Sequence, residues 1–284
     1  MKKVFISTGG FKSITAIDAI KNLKKKKIYE IELSGGKHIP KINFKKLKSN
    51  KIELRLHNYF PPPNKSFVIN LASKNDSIVR KTMTQLRKSI LLSKKLGSKY
   101  FGFHAGFRID PNVNNLGKVL DGKLSNRENA LKIFKKNLLK LNKFALKNNV
   151  ILLIENNVVT KKNILKYSSN PLLLTNPGEI LKFFKNLPKS IGLLLDVGHL
   201  KVSSKAEGFP LIKALKSLNT ITKGYHLSEN DFVTDSNNAI KKNSFFLKYL
   251  NKKLDYYTLE VYTKNISLLA KQKKFLEKIL NNEK

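Results

Sequence analysis

Seven side chains able to bind a cation or move a proton occupy one kind of position in this sequence, the end of a short apolar run. His57 closes "IELRLH", His104 "YFGFH", Glu155 "VILLIE", His226 "TKGYH" and Glu260 "YYTLE", while Asp196 and His199 end "IGLLLDVGHL". Four of the five histidines belong to this set, and only His38, in "GGKHIP", sits farther from such a run. Each residue alone has an ordinary reading: a strand-end histidine packs and hydrogen-bonds, and a glutamate pairs with a nearby lysine. A carboxylate that follows four apolar residues must still find a partner or bear its desolvation. Three carboxylates and four imidazoles converging on one mouth require a compensating charge, and a divalent cation supplies it most simply. The chain has no cysteine, so such an ion is held by oxygen and imidazole alone, and disulfides are excluded.

The elements that must position these groups alternate along the chain. Short β-prone runs at 3–8, 29–36, 52–60, 99–107, 150–157, 191–200, 221–230 and 256–262 are separated by amphipathic, lysine-rich stretches near 14–26, 75–96, 125–148, 177–187, 209–219, 240–251 and 265–281, with a short one near 43–49. Ser125 with Glu128 reads as a capping box, and Asn176-Pro177 as an N-cap followed by proline in the first turn. Eight βα units in 284 residues predict an α/β fold, a single (β/α)8 TIM barrel spanning residues 1–284 as one domain. The segment "PPPNKSFVINLAS" reads as a long, ordered third loop. In such a barrel the C-terminal strand ends form the active face, where the seven residues fall.

Composition narrows the partners. With 56 Lys and Arg against 19 Asp and Glu, the formal net charge is +37, which ordinarily points to nucleic acid or an anionic surface. The lysines are spread through nearly every segment and only five residues are arginine, whose planar fork grips phosphate best, so the charge reads mainly as a solvated surface. No apolar run reaches the ~18 residues of a membrane span, and the N-terminus lacks the apolar stretch of a secretion signal, which makes a cytoplasmic location the default expectation. The loops "STGG" (7–10) and "SGGK" (34–37) carry glycines whose amides could hold an anion, and they equally fit ordinary barrel turns. Arg108, soon after His104, is a candidate substrate clamp.

Taken in order, "HNYFPPPNKSFVINLAS", "FHAGF", "LLIENN", "LLLDVGHL", "YHLSEND" and "TLEVY" resemble the xylose-isomerase-like TIM barrels, a superfamily of sugar and sugar-phosphate isomerases and epimerases that also includes endonuclease IV. The resemblance to the sugar enzymes implies one divalent metal (Mn, Mg, Co or Zn) held by Glu155, Asp196, His226 and Glu260. It further implies that Glu155 and Glu260 move the proton beside a substrate carbonyl through a metal-bound enediolate, with His199 touching substrate oxygens. The implied partner is a small carbohydrate; homo-oligomerisation stays open, and no membrane is implied.

The nuclease branch implies zinc-dependent cleavage at apurinic sites in DNA, with His57, His104 and Asp235 among further ligands. Here Asn237 stands where that branch has a histidine two residues after Asp235, and Val197-Gly198 between Asp196 and His199 is the form common in the sugar enzymes. These departures favour the isomerase or epimerase and a one- or two-metal site. The alternatives are the nuclease and a non-catalytic descendant that only binds a sugar or nucleotide.

Overall fold

A computed structural model describes residues 1–40 and 51–282, so the short helix expected near 43–49 lies outside the described residues. Eight parallel strands close into a barrel: β1 (Phe5–Ser7), β2 (Glu30–Leu33), β3 (Glu53–His57), β4 (Tyr100–His104), β5 (Ile151–Glu155), β6 (Ile191–Asp196), β7 (Thr222–Leu227) and β8 (Tyr257–Leu259). Each strand pairs with its sequence neighbour, and β8 pairs with β1. Eight α-helices accompany them among the described residues: α1 (Ala16–Lys24), α2 (Asp76–Leu96), α3 (Arg127–Leu146), α4 (Lys161–Tyr167), α5 (Pro177–Lys185), α6 (Val197–Glu207), α7 (Leu211–Leu218) and α8 (Ile266–Leu280). None of the described helices is long and apolar enough to cross a membrane.

Strand periodicity sorts the side chains into two cores, because residues two apart share a face. Most buried aliphatic and aromatic residues lie between strands and helices in one continuous core. Inside the barrel a second, smaller cluster of Leu153, Leu194 and Tyr256 forms a floor. Glu155 and Asp196, two residues beyond Leu153 and Leu194, therefore stand directly above that floor. Gly102 and Gly224 make room for it: a Cβ on Gly102 would lie 2.8 Å from Leu194 Cδ2, and one on Gly224 would lie 2.8 Å from Tyr256 Cβ.

Four local expectations need correction. The run 191–200 is not all strand, since β6 stops at Asp196 and α6 begins at once; nine of the eleven α6 residues are buried, so it shows no polar stripe to read. The helix expected over 240–251 is reduced to a single 3-10 turn at Leu247–Tyr249. There Ser244 takes the Lys241 N–H on its hydroxyl at 2.9 Å and returns its own N–H to the Lys241 carbonyl, a local turn that competes with helix. Helix α3 is capped by Asn126, which accepts from the Asn129 N–H, while the Ser125 hydroxyl donates to the Arg108 carbonyl. Helix α4 has no counterpart in the sequence reading. The Asn176 cap, by contrast, is present, accepting from the Gly178 N–H at 2.9 Å with Pro177 opening α5.

Candidate metal centre

Register brings the donors together. Across β4 and β5 His104 is the partner of Glu155, and across β6 and β7 Asp196 is the partner of His226. Glu155, Asp196 and His226 are fully buried, and Glu260, just past β8, is nearly so. Around Nδ1 of His226 lie Glu260 Oε2 at 2.8 Å, Glu155 Oε1 at 3.3 Å and Asp196 Oδ2 at 4.0 Å. On the other side of Glu155, His57 Nε2 and His104 Nδ1 stand 2.6 and 3.3 Å from Oε2.

The hydrogen bonding at these atoms tests whether a cation fits. Both oxygens of Glu155, Oδ2 of Asp196 and Nδ1 of His226 are buried without a hydrogen bond. Buried polar atoms are nearly always satisfied, so these four orphaned atoms, with Glu32 Oε1, His57 Nε2 and His226 Nε2 orphaned beside them, need a common explanation. They lie beside one another without bonding one another, as ligands aimed at a shared point do. The four ligand atoms of Glu155, Asp196, His226 and Glu260 all fall within 4.8 Å of each other, and His57, His104 and Glu155 form a second such group. Carboxylate and imidazole donors without sulfur suit Mn, Mg, Co or Zn.

Local structure fixes two of the candidate ligands, Asp196 and Glu260. Asp196 is the N-cap of α6: its Oδ1 accepts the His199 N–H at 2.7 Å, which fixes the carboxylate and leaves Oδ2 facing the cluster. The Asn156 side chain brackets the same residue, accepting the Asp196 N–H and donating to its carbonyl. Gly198 lets α6 approach β7, since a Cβ there would lie 2.7 Å from Ser228 Oγ. Glu260 Oε1 receives the hydroxyls of Ser7 at 3.3 Å and Tyr262 at 3.1 Å, leaving Oε2 for His226. Gly9 and Gly10 of "STGG" seat Tyr262, because a Cβ on Gly9 would meet its hydroxyl at 2.6 Å.

The charges are strongly coupled. Burial raises the Glu155 carboxyl, yet His104, His57 and His226 outweigh it and hold the group well below the usual carboxylate range. Burial likewise raises Glu260, and His226 overrides it to leave the group at about 2. Asp196 goes the other way: burial, with Glu155, Asp235 and Glu260 adding to it, pushes its carboxyl up to about 7 against the pull of His199. His226 and His199 are raised well above the ordinary imidazole range, because carboxylate neighbours overcome their burial.

The remaining sequence-selected residues separate. His199 lies in the first turn of α6 rather than at a strand end; its Nδ1 donates to the Asn156 carbonyl at 2.8 Å, and Nε2 is 3.2 Å from Asp235 Oδ2. Asp235 thus joins the rim of the cluster from the loop after β7. Arg108 does not join: its guanidinium donates to the Ser125 and Asn170 carbonyls and the Ser169 hydroxyl, tying two loops together. Sequence reasoning missed Glu32, fully buried on β2 with Oε1 2.9 Å from Nε2 of His226.

Fold and site together define a parallel (β/α)8 barrel with a carboxylate–imidazole cluster at its C-terminal mouth. The chain belongs to the xylose isomerase-like TIM barrel family, whose model matches residues 35–254. Solved structures share the fold over essentially the whole chain. A D-tagatose 3-epimerase-like protein is 19% identical with a TM-score of 0.73, covering 99% of this chain and 98% of its own. An L-ribulose 3-epimerase is 14% identical with a TM-score of 0.73, covering 100% and 96%. A xylose isomerase-like TIM barrel protein from Mycobacterium smegmatis, solved in complex with magnesium, is 9% identical with a TM-score of 0.70, covering 100% and 98%. No curated protein matches the sequence.

Proposed function

We propose that this barrel is a divalent-metal-dependent sugar or sugar-phosphate isomerase or epimerase. The observation that carries this reading is the pair Glu155 and Glu260, two buried carboxylates flanking Nδ1 of His226 at 3.3 and 2.8 Å and both held in the charged form. The epimerases among the structural neighbours support it. Glu155, Asp196, His226 and Glu260 would hold the ion, which would supply Lewis acidity toward a substrate's carbonyl and hydroxyl oxygens.

The protein's own groups carry the proton chemistry. Both carboxylates are ionised and so free to accept a proton, and one of Glu155 and Glu260 takes the proton from the carbon beside the carbonyl while the other, once protonated from solvent, returns one. Ser7 and Tyr262 keep Glu260 oriented through its other oxygen, and the Asn156 bracket does the same for Asp196. His199 is braced between Asn156 and Asp235, and its Nε2 would reach a substrate oxygen in exchange for Asp235. The apolar floor of Leu153 and Leu194 closes the site from below against water.

One observation favours a second reading, hydrolysis of a phosphodiester in DNA: His57 and His104 give Glu155 a second set of donors on its Oε2 side. Elemental analysis of chelator-free protein separates the two. About one metal per chain, with solvent-proton exchange into a panel of aldoses, ketoses and their phosphates, supports the isomerase or epimerase. Close to three zincs, with cleavage of abasic duplex DNA and no exchange, overturns it in favour of the nuclease. No metal and no exchange leaves the binding-only descendant.

A further inference from the structure

Glu32 is a fully buried carboxylate that the proton chemistry does not use. It lies on β2, across the barrel from β5 and β6, and its two oxygens have different surroundings. Oε2 receives the Tyr256 hydroxyl and the Thr258 hydroxyl, the latter at 2.8 Å. Tyr256 is itself fixed, with the Arg55 guanidinium 4.5 Å from its ring centre and space provided by Gly224. Oε1 has no such donor and faces Nε2 of His226 at 2.9 Å. The opposite nitrogen, Nδ1, is the one among Glu155, Asp196 and Glu260.

An imidazole can ligate a metal through Nδ1 only if that nitrogen is bare, which requires the remaining proton to sit on Nε2. A carboxylate locked against Nε2 selects that tautomer, orients the ring and raises the basicity of the ligating nitrogen. We infer that Glu32 is the positioning residue of the metal-binding imidazole: anchored by Tyr256 and Thr258, it offers Oε1 as the acceptor for the Nε2–H of His226, which keeps the proton on Nε2 and leaves Nδ1 for the cation. This rests on the metal-site reading above. Glu32, His57 and His226 also form a group whose ligand atoms lie within 4.8 Å of one another, but one oxygen of Glu32 is committed to two hydroxyls and the other meets the side of the His226 ring away from Nδ1, which assigns it a positioning role.

The test is Co²⁺ titration of the full-length chain, followed by calorimetry and visible absorption, on the wild type and on Glu32→Gln, Glu32→Leu and Thr258→Val. Loss of such outer partners typically weakens metal binding ~10–100-fold, so about 10-fold is expected for Glu32→Gln, which keeps an acceptor, and about 100-fold for Glu32→Leu. Thr258→Val, which keeps the carboxylate and removes one anchor, should lose less than either. Stoichiometry should not change. In the Zn²⁺-loaded protein a slowly exchanging His226 Nε2–H resonance should be present in the wild type and absent from Glu32→Leu, a signature that mere loss of packing does not produce. Should Glu32→Leu fail to fold, Glu32→Gln and Thr258→Val carry the test, and wild-type affinity in both overturns the inference. A drop of one metal per chain in Glu32→Gln also overturns it, by making Glu32 a direct ligand. A wild type that takes up no Co²⁺, Mn²⁺ or Zn²⁺ fails at the metal site itself and removes the inference with it.

Discussion

Replacing Asp196 by Asn should make the metal-free protein more stable while destroying its affinity for a cation. The Asp196 carboxyl is raised from 3.8 to about 7 by burial among other carboxylates. A rise of about three pH units at ~1.4 kcal/mol each corresponds to ~4 kcal/mol against the charged form. The sign follows from proton linkage: the folded state holds this proton more tightly than the unfolded state, so ionisation costs nothing below about pH 4, costs progressively more up to pH 7, and is constant above. Asn keeps the cap, since its side-chain oxygen can still accept the His199 N–H that Oδ1 accepts now. Thermal melting in excess chelator should therefore show Asp196→Asn melting ~10 °C higher at pH 8, at ~2–4 °C per kcal/mol for a chain of this size, with the gap closing by pH 4. Saturating metal should favour the wild type instead, by ~2.7 kcal/mol at a hundredfold excess over Kd. Equal melting temperatures at pH 8 in chelator, or a gap that does not shrink on acidification, would refute the reasoning.

Glu260→Gln should act oppositely on the metal-free fold. His226 holds that carboxyl at about 2, below its ordinary 4.5, so its charge contributes ~3 kcal/mol that is complete above pH 4.5 and lost as the pH falls toward 2; melting at pH 7 should drop accordingly. Glu155→Gln and Glu260→Gln should each reduce solvent-proton exchange of the active sugar by ~10²–10⁴-fold with the far-ultraviolet dichroism of the barrel retained; undiminished exchange in either removes it from the proton chemistry. Gly198→Ala forces a methyl to 2.7 Å from Ser228 Oγ and 3.2 Å from Asp196 Oδ1, which should cost ~1–3 kcal/mol and weaken Co²⁺ binding together. Arg108→Lys should lose ~1.5–3 kcal/mol in urea unfolding, the value of one charge-assisted hydrogen bond, without moving KM; a KM effect at unchanged stability would return Arg108 to the substrate.

The strands were legible because a parallel barrel buries both faces, so "VILLIE" and "IGLLLD" appear as unbroken apolar runs whose terminal carboxylates stand out. Helix α6 was illegible for the same reason: a helix buried nearly all round has no polar face, and "VGHLKVSS" joins onto the strand before it. Glu32 was hidden differently. In "EIELSGG" Glu30 and Glu32 alternate with Ile31 and Leu33, the pattern of a strand with one wet face, and only closure of the barrel turns that face inward. Arg108 shows a different limit, since its neighbourhood to His104 along the chain says nothing about which loop groups its guanidinium will bond.

The opposite behaviour of Asp196 and Glu260 follows from where the positive charge sits when no metal is present. Glu32, Glu155 and Glu260 are all close to the imidazole of His226, at 2.9, 3.3 and 2.8 Å, and its proton substitutes for a cation on their behalf. Asp196 stands 4.0 Å from the same ring and 3.9 Å from Nε2 of His199, whose proton Asp235 claims at 3.2 Å. It is thus the candidate ligand that protons serve worst and a metal would serve best. A residue whose charge is costly in the metal-free fold persists most reasonably because the loaded site needs that charge, and binding should then release protons from both His226 and Asp196. Metal affinity should accordingly climb as the pH rises through 7, where Asp196 ionises, and keep climbing above it until His226, raised well above the ordinary imidazole range, has also lost its proton.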